Sequence, residues 1–147
     1  MCHFLFEDIL KKPAFQSFFR SGKEFDSNFA YEIAFGFMPR EFIDSPNDRY
    51  ILEEEGDVTE IYFIMKGDWA ICFDSFAGDH IALDSNEIEE MQGTADMQRR
   101  GILVAQRKVN YGYIGDYYVL ASKRSQFYYV ALTTVHAFAL TKQFMFK

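Results

Sequence analysis

Apolar and polar positions change their rhythm near residue 36. Before it the period is helical: Phe15, Phe18 and Phe19 fall at i, i+3 and i+4, one apolar stripe behind Pro13, which suits a first helical turn. A second short helix is expected from Ser27 to Phe35, capped by Asp26 or Ser27 and ended by Gly36 in the left-handed conformation. From residue 37 the period becomes two. Tyr50–Leu52, Ile61–Met65 and Trp69–Phe73 are short β-branched or aromatic segments, and in the last Trp69, Ile71 and Phe73 share one face while Ala70 and Cys72 take the other. Turn residues separate them at Ser45-Pro46-Asn47-Asp48, Gly56-Asp57, Lys66-Gly67-Asp68 and Ala77-Gly78-Asp79. Turns recurring about every ten residues are the rhythm of an antiparallel sandwich or barrel.

Residues 84–100 break that rhythm. The segment is polar, acidic at Glu87, Glu89 and Glu90, basic at Arg99 and Arg100, and is expected to be a solvated insertion with a helical turn. Strands resume over Gly101–Val109 and Gln126–Phe138, and the tail from Thr141 starts like a helix. The whole reads as one domain: a helical lead-in over 1–36, a β-roll over 37–140 with the insertion, and the start of a C-terminal helix over 141–147.

Composition removes several function classes. The 147 residues are 49% hydrophobic and 18% aromatic, too much ring surface for a disordered chain. A net charge of -7, with no basic cluster longer than Arg99-Arg100, argues against nucleic acid as a partner. Cys2 and Cys72 form neither a disulfide framework nor a metal motif, which suits a reducing, cytoplasmic setting. No apolar run approaches the ~20 residues of a membrane helix, and Glu7 and Asp8 interrupt the first apolar stretch, so neither direct membrane insertion nor a signal peptide is expected. Metal catalysis on a barrel wants closely spaced histidines, whereas His3, His80 and His136 lie far apart. Cys72 has no nearby histidine and reads as a small core residue. No metal, no catalytic residue and no enzyme activity are expected.

The chemistry-bearing stretches come in a definite order. Glu55-Gly56-Asp57, followed by Ile61-Tyr62-Phe63-Ile64 and Lys66-Gly67, is a turn, a core strand and a second turn, with Gly56 and Gly67 suited to positive φ. Upstream stands Ser45-Pro46-Asn47-Asp48-Arg49-Tyr50-Ile51, and downstream Tyr113-Ile114-Gly115-Asp116-Tyr117-Tyr118-Val119-Leu120. This series resembles the cyclic-nucleotide-binding domains, in the style of those of voltage-gated and cyclic-nucleotide-gated cation channels. The resemblance covers nearly the whole chain. Asn47 stands at a usual glycine and tolerates the left-handed region. The fold it implies is α+β: N-terminal helices, then an eight-stranded antiparallel jelly-roll β-sandwich with a short internal cassette helix.

The resemblance also implies a ligand, cAMP or cGMP, and a site. Ile114, Gly115, Asp116 and Tyr117 match the phosphate-binding cassette, where glycine admits close backbone approach, a carboxylate accepts from the ribose 2′-hydroxyl and helical N–H groups face the phosphate. The family's clamping arginine falls, by strict count from Gly115, at Ser125; Arg124 takes the role if the loop from Ala121 is one residue shorter. Phe127 replaces a small residue, and the family's lid helix would lie beyond Lys147. Tyr117-Tyr118 and Phe127-Tyr128-Tyr129 offer rings for a purine, though core packing is the simpler use of most of them. Two functions stay open: a cyclic-nucleotide sensor joined to other domains or subunits of a channel-like protein at the cytoplasmic face of a membrane, or a domain of the same fold that binds no nucleotide and serves as a structural or interaction module.

Overall fold

The computed structural model describes residues 20–21, 24–25, 32, 35–74, 91–110 and 112–145. The strands are β1 (Arg20–Ser21), β2 (Glu24–Phe25), β3 (Met38–Phe42), β4 (Tyr50–Leu52), β5 (Glu60–Lys66), β6 (Asp68–Asp74), β7 (Ile102–Val109), β8 (Tyr113–Ile114), β9 (Tyr128–Ala131) and β10 (Val135–Thr141). Among the described residues the helices with given bounds are short: α1 (Ala95–Arg99) and α2 (Asp116–Leu120) between strands, and α3 (Lys142–Met145) after the last one. β3 to β10 form two antiparallel four-stranded sheets, ordered β3-β10-β5-β8 and β4-β9-β6-β7. This is the expected eight-stranded sandwich, with α2 at the expected cassette.

Hydrophobicity decides which strand is central. Ile61, Tyr62, Phe63 and Ile64 are all buried, so β5 lies between β10 and β8, where both faces are covered. β6 alternates as its sequence predicts. Trp69 and Ile71 join the core between the sheets, whereas Ala70 and Cys72 pack on the opposite face with Met97, Ile102, Val104 and Val130. Burial pushes the Cys72 thiol up to about 12, against a small opposing effect of Arg107, which keeps it protonated at neutral pH.

Several sequence expectations need correction. Most of the helical lead-in falls outside the described residues; within it, Arg20–Ser21 and Glu24–Phe25 pair as short antiparallel strands. Gly36 does not use positive φ; a Cβ there would lie 2.6 Å from the Phe144 ring, so close packing is what favours glycine. Gly67 does take positive φ (110°), but at the preceding turn Glu55 (φ 64°) bears it in place of Gly56, and Asn47 stays out of the left-handed region. The strand expected over Gln126–Phe138 is two strands, β9 and β10, joined by a turn.

The described part of the insertion is not a solvated loop. Met97 is fully buried and caps the outer face of the β4-β9-β6-β7 sheet. Asp96 is buried beside it, 3.3 Å from Arg49 Nε, and accepts hydrogen bonds from Tyr50 Oη (2.9 Å) and Thr94 Oγ1 (2.6 Å). Arg49 also reaches Asp44 (2.6 Å), and Arg100 closes the segment onto Glu53 (2.9 Å) and over the Tyr50 ring. Burying one large apolar side chain is worth roughly 1.5–3 kcal/mol, so a single Met97 can hold this segment down.

Candidate functional site

Gly115 sets the geometry of the cassette. It caps α2 with φ 94°, and its carbonyl accepts the Val119 N–H (3.0 Å). A Cβ there would stand 2.9 Å from the Glu60 carbonyl oxygen, so both the dihedral and the space demand glycine. Three residues earlier Gly112 (φ 118°) lies against Trp69, whose ring a Cβ would meet at 2.7 Å. Ile114 between them is buried in the sandwich core, which fixes the segment to β5.

A cleft of about 290 Å³ opens between this segment and the β4-β9-β6-β7 sheet. Ile114, Gly115, Asp116 and Tyr117 line it on the cassette side. Trp69 and Ile71 from β6, Gln106 and Lys108 from β7, and Tyr129 from β9 line it on the sheet side. Its volume is at the small end of ligand pockets, and five of its twelve lining residues are aromatic, with a few polar groups among the rest. The rings form a chain: Tyr117 meets Tyr118 edge-on (5.6 Å between centroids), Tyr118 meets Tyr129 (6.2 Å), and Tyr129 meets Trp69 (6.2 Å). The Tyr118 and Tyr129 hydroxyls are hydrogen-bonded at 3.1 Å. Burial, then this bond and the neighbouring Asp116 charge, raise the Tyr129 phenol above its ordinary value, so it stays protonated.

Four of the six expected site residues therefore meet in one cleft, and two stand elsewhere. Arg124 is exposed, with Nε 3.4 Å from Asp57 Oδ1, and does not line the cleft. Ser125 is buried and holds the Glu55-Gly56 turn: its N–H donates to the Gly56 carbonyl (3.1 Å), its carbonyl accepts from the Glu55 N–H (2.8 Å), and its Oγ donates to the Phe127 carbonyl (2.7 Å). Tyr128 lies on the far face of β9, with Tyr50. A second, more polar cleft of about 440 Å³ runs past Asn47, Asp57 and Arg100, where Arg100 is already paired with Glu53.

Of the rings that the sequence offers to a purine, Tyr117, Tyr118 and Tyr129 line the cleft, whereas Trp69, Ile71, Gln106 and Lys108 were missed as cleft residues. The signal in β7 was present: Ile102 and Val104 are apolar, but Gln106 and Lys108, at the same alternation, are polar. Among the described residues no three His, Cys, Asp or Glu side chains gather to hold a metal ion. No helix among them is long and apolar enough to cross a membrane.

The fold is that of the cyclic-nucleotide-binding regulatory domains. The chain superposes on the regulatory domain of Toxoplasma gondii PKA, solved with cAMP, at TM-score 0.58 and 11% identity, covering 80% of this chain and 36% of that one. It matches the Thermus thermophilus catabolite activator protein at TM-score 0.56 and 10% identity, over 85% of this chain and 46% of that one. It matches the regulatory subunit of a cAMP-independent protein kinase A from Trypanosoma brucei at TM-score 0.57 and 14% identity, over 80% and 34%. The chain thus spans under half the length of these three proteins. No family model and no curated protein sequence matches it.

Proposed function

We propose that this chain is a regulatory domain that binds a cyclic nucleotide, cAMP or cGMP, within a larger signalling protein such as an ion channel at the cytoplasmic face of a membrane. The observation that carries the reading is the cleft in which Gly115, Asp116 and Tyr117 face an aromatic wall, in a fold shared with a domain solved with cAMP. Gly115 leaves the backbone open to a ligand, the Asp116 carboxylate is suited to accept from a ribose hydroxyl, and the ring chain offers faces to a flat base. A bound nucleotide would then act by ordering α2, and it shifts the rest of the protein only as far as it favours one of the two arrangements. The domain is read as a sensor and not as an enzyme, in line with the regulatory proteins whose fold it shares.

A second reading is a domain that binds no nucleotide. The Tyr118–Tyr129 hydrogen bond across the cleft floor and the Arg124 pairing with Asp57 favour it, and the fold also serves a kinase subunit described as cAMP-independent. Calorimetric titration with cAMP and with cGMP separates the two. Saturable heat with either nucleotide, together with a rise in melting temperature, supports the sensor. No heat and no thermal shift at millimolar nucleotide contradicts it and leaves the interaction module.

A further inference from the structure

We propose that Lys108, on β7, is the cation that pairs with the ligand's phosphate in the α2 cleft. The assignment rests on the cyclic-nucleotide reading and names the residue that carries the charge recognition. A cyclic nucleotide brings one negative charge into a chain of net charge -7, beside the Asp116 carboxylate. An anion leaving water for a partly enclosed aromatic cleft needs a counter-charge, because its hydration is lost and little else compensates. Among the described residues that line the cleft, Lys108 alone is cationic.

The backbone aims it there. β7 pairs with β6 so that Cys72 faces Val104 but Ile71 faces Gln106, which leaves Ala105 as an extra residue in a β-bulge. Up to the bulge, Ile102 and Val104 pack with Cys72 on the outer face of the sheet. After it the parity of the strand is reversed. Gln106 and Lys108 pair with Ile71 and Trp69, and so share the cleft side of the sheet with them. Without the bulge at Ala105, strict alternation would send Lys108 to the face of Ile102 and turn Arg107 toward the cleft side in its place.

The lysine is also uncommitted. No ion pair among the described residues involves it, whereas Arg124 is engaged with Asp57 outside the cleft. Lys108 is half-buried, so its stem packs along the wall while its ammonium remains able to meet an anion.

The test titrates the full chain, as wild type, Lys108→Gln, Lys108→Arg and Arg124→Ala, with cAMP, cGMP and the uncharged nucleoside adenosine. Thermal melts establish that each variant is folded. The expected result is that Lys108→Gln weakens the preferred cyclic nucleotide at least about tenfold, that Lys108→Arg keeps most of the affinity, and that Arg124→Ala changes it little. Adenosine, which lacks the phosphate, binds wild type and Lys108→Gln alike. Added salt weakens the wild type more than Lys108→Gln. Nucleotide binding that survives Lys108→Gln but is lost in Arg124→Ala overturns the assignment and keeps the sensor. Equal loss of adenosine and cyclic nucleotide in Lys108→Gln also overturns it, because the lysine then acts on the base or sugar. A wild type that binds neither nucleotide removes the cyclic-nucleotide reading and this assignment with it.

Discussion

Gly115 carries two constraints at one atom position, a positive φ and the Glu60 carbonyl 2.9 Å from any Cβ. Gly115→Ala is therefore expected to cost at least about 1–2 kcal/mol from the dihedral alone, read as a lower midpoint in chemical denaturation. An unchanged midpoint would mean that the cassette has another backbone to fall into. Asp96 is a residue whose ionisation bears on stability. Burial opposes its charge, but hydrogen bonds from Thr94 and Tyr50 and the Arg49 guanidinium outweigh it, so its carboxyl is held below the usual range. A depressed folded pKa gives stability that is present above the unfolded carboxylate value, about 3.9, and is lost as pH falls through the folded one. Asp96→Asn should thus lower the melting temperature most near neutral pH, with the gap from wild type narrowing below about pH 4. A gap that stays constant with pH would show that the carboxylate charge contributes nothing. Arg124 gives the opposite case: both partners of its ion pair with Asp57 are largely exposed, so Arg124→Ala should leave thermal stability nearly unchanged.

At the scale of elements, the sandwich was legible because its strands announce themselves. β4 lies where Tyr50–Leu52 places it, and β5 and β6 extend one residue beyond each end of the apolar segments that predict them. The cassette helix was legible through the resemblance of Tyr113–Leu120 to the family's cassette, and it stands at Asp116–Leu120 behind Gly115. Two things were not legible, for physical reasons. The insertion looked solvated because its burial depends on one methionine and one ion-paired aspartate in an otherwise polar stretch, too little for a periodic signal. Gln106 and Lys108 were hidden as cleft residues because a bulge at Ala105 reverses the facing of β7, and bulge formation depends on pairing with β6 and not on β7 alone. α1 offers a direct check. Met97→Ala should destabilise the domain by about 2–5 kcal/mol if the methionine fills the outer core as placed. A cost below about 0.5 kcal/mol would return the segment to the solvated loop that its composition suggests.

For the whole molecule, two sheets pack their apolar faces together, α1 covers the outer face of one, and α2 stands over that sheet's inner side to leave a cleft. The fold is what the chain shares with these three neighbours at only 10–14% identity, so the shared element is architecture, and the ligand chemistry has to come from this chain's own residues. Those residues form an aromatic wall, one carboxylate and one lysine around a glycine that cannot be replaced. The proposed function requires a cyclic nucleotide to occupy this cleft. Amide chemical-shift mapping of the labelled domain, titrated with cAMP and then cGMP, locates any bound nucleotide. Saturable shifts are expected at Gly112, Gly115, Asp116 and Tyr117 and along β7 from Gln106 to Lys108. Shifts centred instead on Asn47, Asp57 and Arg100, or none at millimolar nucleotide, would contradict it.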